Sequence, residues 1–162
     1  MPARAAPPKA FVLALYDHGF GPWLGRLILV LTTTGRVSGL PRRTPLQYEE
    51  VDGKIVVASG WGTRSDWYRN LQAHPAVEVC IGRRRFRAVA QPVSDPARIA
   101  EFLELRLARH PRMIGRILKA EGLPARPSRE QLLEYAAGRG MVILEPLVDS
   151  NTEGNTGGTA AG

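Results

Sequence analysis

The chain reads as an antiparallel α+β barrel, and three observations carry that reading. Two pairs of β-rich segments are each joined by a tight turn, the pattern of hairpins. Five or six short strand candidates share one 162-residue chain, with most of the helix-forming sequence arriving late. No strand–helix–strand repeat occurs, and Gly-x-Gly-x-x-Gly is absent, so a doubly wound parallel sheet is not expected. The length suits one domain, placed at residues 9–148 between a flexible Pro/Ala-rich stretch 1–8 and a tail 149–162. The tail holds no apolar residue beyond alanine and is expected to be disordered.

Taken in order, residues 9–18 favour a helix that Gly19 stops. Gly19-Phe-Gly-Pro-Trp23 reads as a turn-rich link, and Leu27 to Thr34 as a strand rich in β-branched residues. Gly35 to Pro41 is a loop with two glycines and a proline. Thr44–Glu50 and Ile55–Ser59 form a hairpin around Asp52-Gly53. After the Gly60-Trp-Gly-Thr-Arg loop, Ser65 caps a short helix 66–73 that His74-Pro75 ends. Val77–Ile81 and Arg85–Val93 make a second hairpin around Gly82-Arg83-Arg84. Pro96–Arg109 is a helix with Asp95 as N-cap and Pro96 first, followed by helices 111–121 and 129–137 and a last strand 141–147.

Charge narrows the partners. Net charge is +7, with only three lysines, Lys9, Lys54 and Lys119, against 19 arginines. Such a surface attracts anions, and arginine forks suit phosphates and carboxylates. No segment is apolar over the roughly 18 to 20 residues a membrane span needs. The N-terminus lacks the order of charge, apolar stretch and cleavage site of a signal peptide, so a cytoplasmic protein is expected. A single cysteine, Cys80, excludes an internal disulfide and a multi-thiolate metal site, and its alternating run reads it as a small buried hydrophobe. His18, His74 and His110 are too scattered for a metal site, so none is expected.

Two segments carry chemistry. The first is Thr32-Thr-Thr-Gly-Arg-Val-Ser-Gly-Leu-Pro-Arg-Arg-Thr-Pro-Leu46. Its glycines free the backbone to approach an anion, Ser38 adds a hydroxyl, and Arg36 and Arg42 add forked charge. The residues alone fit a solvated basic loop slightly better than a phosphate cradle. The second is Val56-Val-Ala-Ser-Gly-Trp-Gly-Thr-Arg-Ser-Asp-Trp-Tyr-Arg-Asn-Leu71. Small residues at the strand end leave room for a flat ring, and the loop's N–H groups can meet a heterocycle. Trp67 and Leu71, four apart, equally read as the core face of a helix.

In this order and spacing, the two segments resemble the deazaflavin (coenzyme F420)-dependent nitroreductase family. The Gly82-Arg-Arg-Arg-Phe-Arg-Ala88 hairpin fits the same pattern, and the resemblance covers about residues 25–92. It implies a small antiparallel split β-barrel with flanking helices, related to flavin-binding barrels. It implies an oxidoreductase that passes a hydride from reduced F420 to a nitro compound, quinone or activated alkene. Carried over by motif, Arg36, Val37, Ser38, Arg42 and Thr44 face the cofactor's phosphate and acidic tail. Val57, Ala58, Ser59 and Gly60 lie along the ring, with Ser59 as the residue that polarises the acceptor. Asp66, Trp67, Tyr68, Arg69 and Asn70 close the site near the ribityl chain and phosphate. The family often has lysine where this chain has Val37, and Arg43 and Arg64 are the candidates to replace that charge. Tyr135 on a late helix is a candidate proton source.

Other readings stay open: an FMN-dependent oxidoreductase on the same barrel, a non-catalytic cofactor- or ligand-binding barrel, or a basic nucleic-acid-binding barrel. Nucleic acid is not expected, because Arg83-Arg84-Arg85 reads best as a solvated hairpin tip. The N-terminal helix, with Phe11, Leu13, Leu15 and Tyr16 near Trp23, either packs over the barrel mouth or rests on a membrane surface. A homodimer is an expectation by analogy with other split barrels.

Overall fold

A computed structural model describes residues 9–59 and 62–148. The expectations for residues 1–8, for Gly60 and for the tail 149–162 lie outside the described residues.

Six strands form one closed antiparallel barrel. They are β1 (Ile28–Thr34), β2 (Pro41–Val51), β3 (Lys54–Ser59), β4 (Ala76–Ile81), β5 (Arg84–Val93) and β6 (Gly140–Pro146), in the spatial order β1-β2-β3-β6-β5-β4. Both expected hairpins are present. Between β2 and β3, Asp52 (φ 51°) and Gly53 (φ 75°) both take the left-handed conformation, the requirement of a type I′ turn whose twist matches its strands.

Strand β2 is longer at its start than the sequence suggested. Pro41, Arg42 and Arg43, read as loop and approach, pair with Thr34, Thr33 and Thr32 of β1. Proline is tolerated as the first residue of a strand, where its missing N–H breaks no ladder. The pairing of β2 with β3 runs only from Val51↔Lys54 to Tyr48↔Val57. Beyond that point β2 continues with β1 alone, and β3 with β6 alone. The barrel is therefore split between the first half of β2 and the end of β3.

Among the described residues, helices sit at three places. The first, α1 (Lys9–Leu15), runs on into a wide turn, Tyr16–Phe20, and the chain reverses at Gly19 (φ 94°), the expected stop. The next residues, read as a link, instead make a short helix α2 (Gly21–Leu24) with Pro22 in its first turn, where the absent N–H costs nothing. This segment packs against the β4–β5 turn backbone to backbone: a Cβ on Gly25 would lie 2.5 Å from the Gly82 nitrogen. Helix α3 (Asp66–Ala73) buries Trp67, Tyr68 and Leu71 in the barrel interior with Leu29, Leu31, Val57, Val79 and Leu144.

Three late helices, α4 (Pro96–Arg109), α5 (Pro111–Ala120) and α6 (Arg129–Ala136), cover the outer face of β3, β6 and β5. Their starts follow cap chemistry: Asp95 accepts from the Ala97 N–H, and Ser128 and Gln131 form a reciprocal capping box. Ile99, Leu103, Ile114, Leu118 and Leu132 meet Val56, Met141 and Ile143 in a second core. Strand β6 is thus buried on both faces, which explains its unbroken apolar run.

Cys80 corrects its sequence reading. Alternation sends Val77 and Val79 into the core and leaves Cys80 on the outer side, only half-buried, its Sγ 3.5 Å from the Gly82 carbonyl. The N-terminal segment rests on the barrel through buried Val12 and Tyr16, while Phe11, Phe20 and Trp23 stay exposed. Among the described residues, no helix is long and apolar enough to cross a membrane.

Candidate functional site

The Gly35–Leu40 loop joins β1 to β2 and is closed by its own backbone. Gly35 N donates to the Leu40 carbonyl (2.8 Å), Gly39 N to the Gly35 carbonyl (2.8 Å), and Leu40 N to Ser38 Oγ (3.2 Å). Gly39 makes the turn at φ 68°. Three of the N–H groups expected to face an anion close the loop instead. Arg36 N is also engaged, with Asn70 Oδ1 at 3.1 Å. Side chains therefore supply the loop's charge.

Those side chains converge on a groove of about 480 Å³, the size of a small-molecule site. It is lined by Lys9 of α1, Gly35, Arg36, Val37 and Ser38 of the loop, Arg42 and Thr44 of β2, and Asp66, Trp67 and Asn70 of α3. Alternation along β2 turns Arg42 and Thr44 to the groove and Arg43 away from it. Arg36 reaches across to α3, its Nη1 2.9 Å from Asn70 Oδ1 and its Nη2 3.1 Å from Asp66 Oδ1. Burial, and Arg42 beside it, hold the Lys9 ammonium below the ordinary lysine range, while Asp66 pulls it upward. Among the described residues, the lining offers three cations and one carboxylate, and that carboxylate is already bonded to Arg36. This donor set suits an anion with several oxygens.

A separate cavity of about 240 Å³ occupies the split. Pro45, Leu46 and Gln47 of β2 form one wall and Ala58 of β3 the other, over Ile99, Leu103 and Ile114. Tyr135, Glu121 and Arg139 stand at its edge. The Tyr135 hydroxyl donates to Glu121 Oε2 (2.7 Å), and the Arg139 guanidinium lies over the Tyr135 ring at 3.7 Å. Burial first, and the Glu121 hydrogen bond second, push the Tyr135 phenol far above its ordinary range. It holds its proton, and its donor is committed to Glu121, so it is a poor proton source for a substrate.

The sequence pattern of the F420H(2)-dependent quinone reductase family matches residues 18–118, more than half of the chain. The chain belongs to this family. Among its relatives is an F420H(2)-dependent quinone reductase of Mycobacterium tuberculosis, 46% identical over a 73-residue alignment that covers 42% of this chain and 49% of that one. The chain thus spans about half the length of the curated relatives it matches. A solved F420-H2 dependent reductase is 25% identical, with a TM-score of 0.51 over 74% of this chain and 95% of its own. A conserved hypothetical protein of Mycobacterium tuberculosis shares the fold at 17% identity and a TM-score of 0.54, over 90% of this chain and 86% of its own.

Within this family frame, the structure sorts the residues named from sequence. It brings Arg36, Val37, Ser38, Arg42, Thr44, Asp66, Trp67 and Asn70 to one groove. Trp67 serves both readings, buried in the core yet lining that groove. Ala58 borders the split cavity instead, and Val57, fully buried, faces the barrel interior because neighbouring strand residues point to opposite sides. Ser59 ends β3 paired with Gly140. Tyr68 is buried inside the barrel and packs closely on Gly140, and Arg69 is exposed outside the groove. Neither candidate replacement for the charge missing at Val37 lines the groove: Arg43 is bound by Asp17 at 2.8 and 3.0 Å, and Arg64 lies outside the lining. Sequence reading missed Lys9, thirty-five positions from Thr44. It also missed Gln47 and Arg139, which carry no motif.

Proposed function

We propose that this chain is an F420H2-dependent oxidoreductase that delivers a hydride to a small organic acceptor, a quinone before a nitro compound or activated alkene. The observation that carries the reading is the convergence of Lys9, Arg36 and Arg42 beside Trp67 in one groove, at the loop where the family pattern matches. A cofactor with an anionic tail matches that set of cations. The name of the family's M. tuberculosis member supports the choice of cofactor and of quinone.

Reduced F420, when bound, supplies the hydride. Arg36 and Arg42 hold the anionic end and fix the register of the ring. Each charge-assisted contact contributes about 1.5–3 kcal/mol. Leu46, Ile99 and Leu103 would exclude water from a ring or acceptor seated in the split. Trp67 and Asn70 close the groove from α3. The exposed rings of Phe11, Phe20 and Trp23 suit contact with a lipid surface, the phase in which apolar quinones dissolve.

Fluorescence titrations with F420 and FMN, followed by turnover of F420H2 with quinones and nitroaromatics, test the reading. F420 is expected to bind more tightly, with turnover. Equal or stronger FMN binding would overturn it in favour of a flavin enzyme on the same barrel. Ser59 carries a separate expectation, from its place at the end of β3 beside the split. Ser59→Ala should lower turnover by about ten- to a hundredfold with F420 affinity unchanged. Parent-like rates with every acceptor would remove Ser59 from the chemistry.

A further inference from the structure

We propose that Lys9, carried by α1, contacts the cofactor's anionic tail directly and supplies the cation that the Gly35–Leu40 loop lacks at Val37. The proposal rests on the F420 reading. Val37 is 93% exposed and brings no charge to the groove. On β2, Arg43 is held on the far side of the strand by Asp17. Lys9 lines the groove with Arg36 and Arg42, and its Nζ donates to Thr44 Oγ1 at 3.3 Å. Thr44 is a neutral partner, so the Lys9 charge is uncompensated by it.

One segment accounts for both arrangements. The Tyr16 hydroxyl donates to the Ile28 carbonyl (2.6 Å) and accepts from Gly82 N (3.1 Å), and Val12 is buried beneath the helix. These anchors fix α1 on the barrel. The next residue, Asp17, engages Arg43, and one end of the same helix sets Lys9 over Thr44. The N-terminal segment thus withdraws one cation of β2 from reach and delivers another to the groove.

Among the described residues, the charged groups facing Lys9 are Arg42 from β2, Arg36 from the loop and Asp66 from α3. Asp66 is bonded to Arg36, which leaves Lys9 and Arg42 as two like charges on one wall. An anion between them relieves that repulsion and favours the protonated lysine. Binding then takes up a proton wherever free Lys9 has begun to lose its own. Affinity for the anionic cofactor should decline with rising pH, starting below the ordinary lysine range.

The test is a set of titrations of the parent, Lys9→Met and Lys9→Arg proteins. One ligand is F420; the other is its tailless counterpart, ring and ribityl chain without phosphate. Lys9→Met should weaken F420 about tenfold, flatten the alkaline decline, and leave the tailless ligand and the melting temperature unchanged. Lys9→Arg should restore most of the F420 affinity. Parent-like F420 affinity in Lys9→Met would overturn the proposal. So would equal weakening of both ligands with a lowered melting temperature, since Lys9 would then only hold α1 in place. If the parent binds neither ligand, the F420 reading itself falls; if the parent binds F420 and Lys9→Met matches it, only the role of Lys9 falls.

Discussion

The amide of Asn70 is only 4% exposed, between α3 and β1, and both of its ends are in use. Its Oδ1 accepts from Arg36 N and Arg36 Nη1, and its Nδ2 lies 3.4 Å from Thr33 Oγ1 as donor. A carboxamide accepts at one end and donates at the other, which is what this position requires. Asn70 therefore sets the direction of Arg36, and it acts on the groove largely through that arginine. Removing it with Asn70→Ala leaves the Arg36 N–H and the guanidinium short of an acceptor in a half-buried place, a loss of about 1–3 kcal/mol. Melting should fall by several degrees, with F420 binding weakened more than binding of the tailless deazaflavin. Unchanged melting together with unchanged F420 affinity would show that Arg36 holds its pose without Asn70. At this scale the arginine loop stood out only through the family resemblance, because its residues alone also fit a solvated basic loop. Which N–H groups close the turn was not, since that depends on the full loop geometry. Lys9 was invisible for a different reason: only the docking of α1 on β2 brings it to Thr44.

Elements followed their local signals where those signals were strong. The Asp52-Gly53 turn, the Asp95 cap and the Ser128–Gln131 box fix ends of β2, β3, α4 and α6 through bonds within a few residues. Boundaries failed where the deciding partner is distant. Pro41 to Arg43 became strand because Thr32 to Thr34 were there to pair with them. Gly21 to Leu24 became helix against glycine and proline composition, in a segment where Gly21 and Gly25 let the backbone close on Gly82. The split is the deepest case. Both β2 and β3 continue past Tyr48↔Val57, and nothing in either strand's composition says that they part there. The resemblance implied the split, and the exchange of partners shows where it lies. That position gives the reason for small Ala58: a larger side chain would fill the cavity between the two strands.

At the scale of the molecule, a barrel and a helical layer must hold one geometry, because the split is walled by both. Apolar burial of Val56, Met141 and Ile143 under α4 to α6 supplies most of the adhesion, but it is non-directional. Direction comes from Glu49. This β2 carboxylate, 8% exposed, meets Arg106 Nε at 3.5 Å, Arg109 Nη1 at 3.2 Å and His110 Nε2 at 3.0 Å, all from the end of α4 and the residue after it. Arg106 Nη2 also donates to Gln47 Oε1 at 2.9 Å, and Arg109 Nη1 to the Glu50 carbonyl at 2.8 Å. Burial holds the Arg106 guanidinium below its ordinary range, and the Glu49 charge opposes that shift. Glu49→Gln keeps the shape and removes the charge, leaving Arg106 buried without a counter-ion. Breaking a buried pair costs about 3–5 kcal/mol, and the lower end applies because Arg109 and His110 are partly exposed. For a chain of this length, about 3 kcal/mol lowers the melting temperature by about 6–12 °C. Added salt should change that drop little, since the pair is shielded from solvent. The companion double variant, Glu49→Leu with Arg106→Met, should recover much of the loss, because two apolar groups leave no stranded charge. A Glu49→Gln protein that melts with the parent, or a double variant no more stable than the single one, would mean that the apolar core alone sets how the helices sit on the barrel.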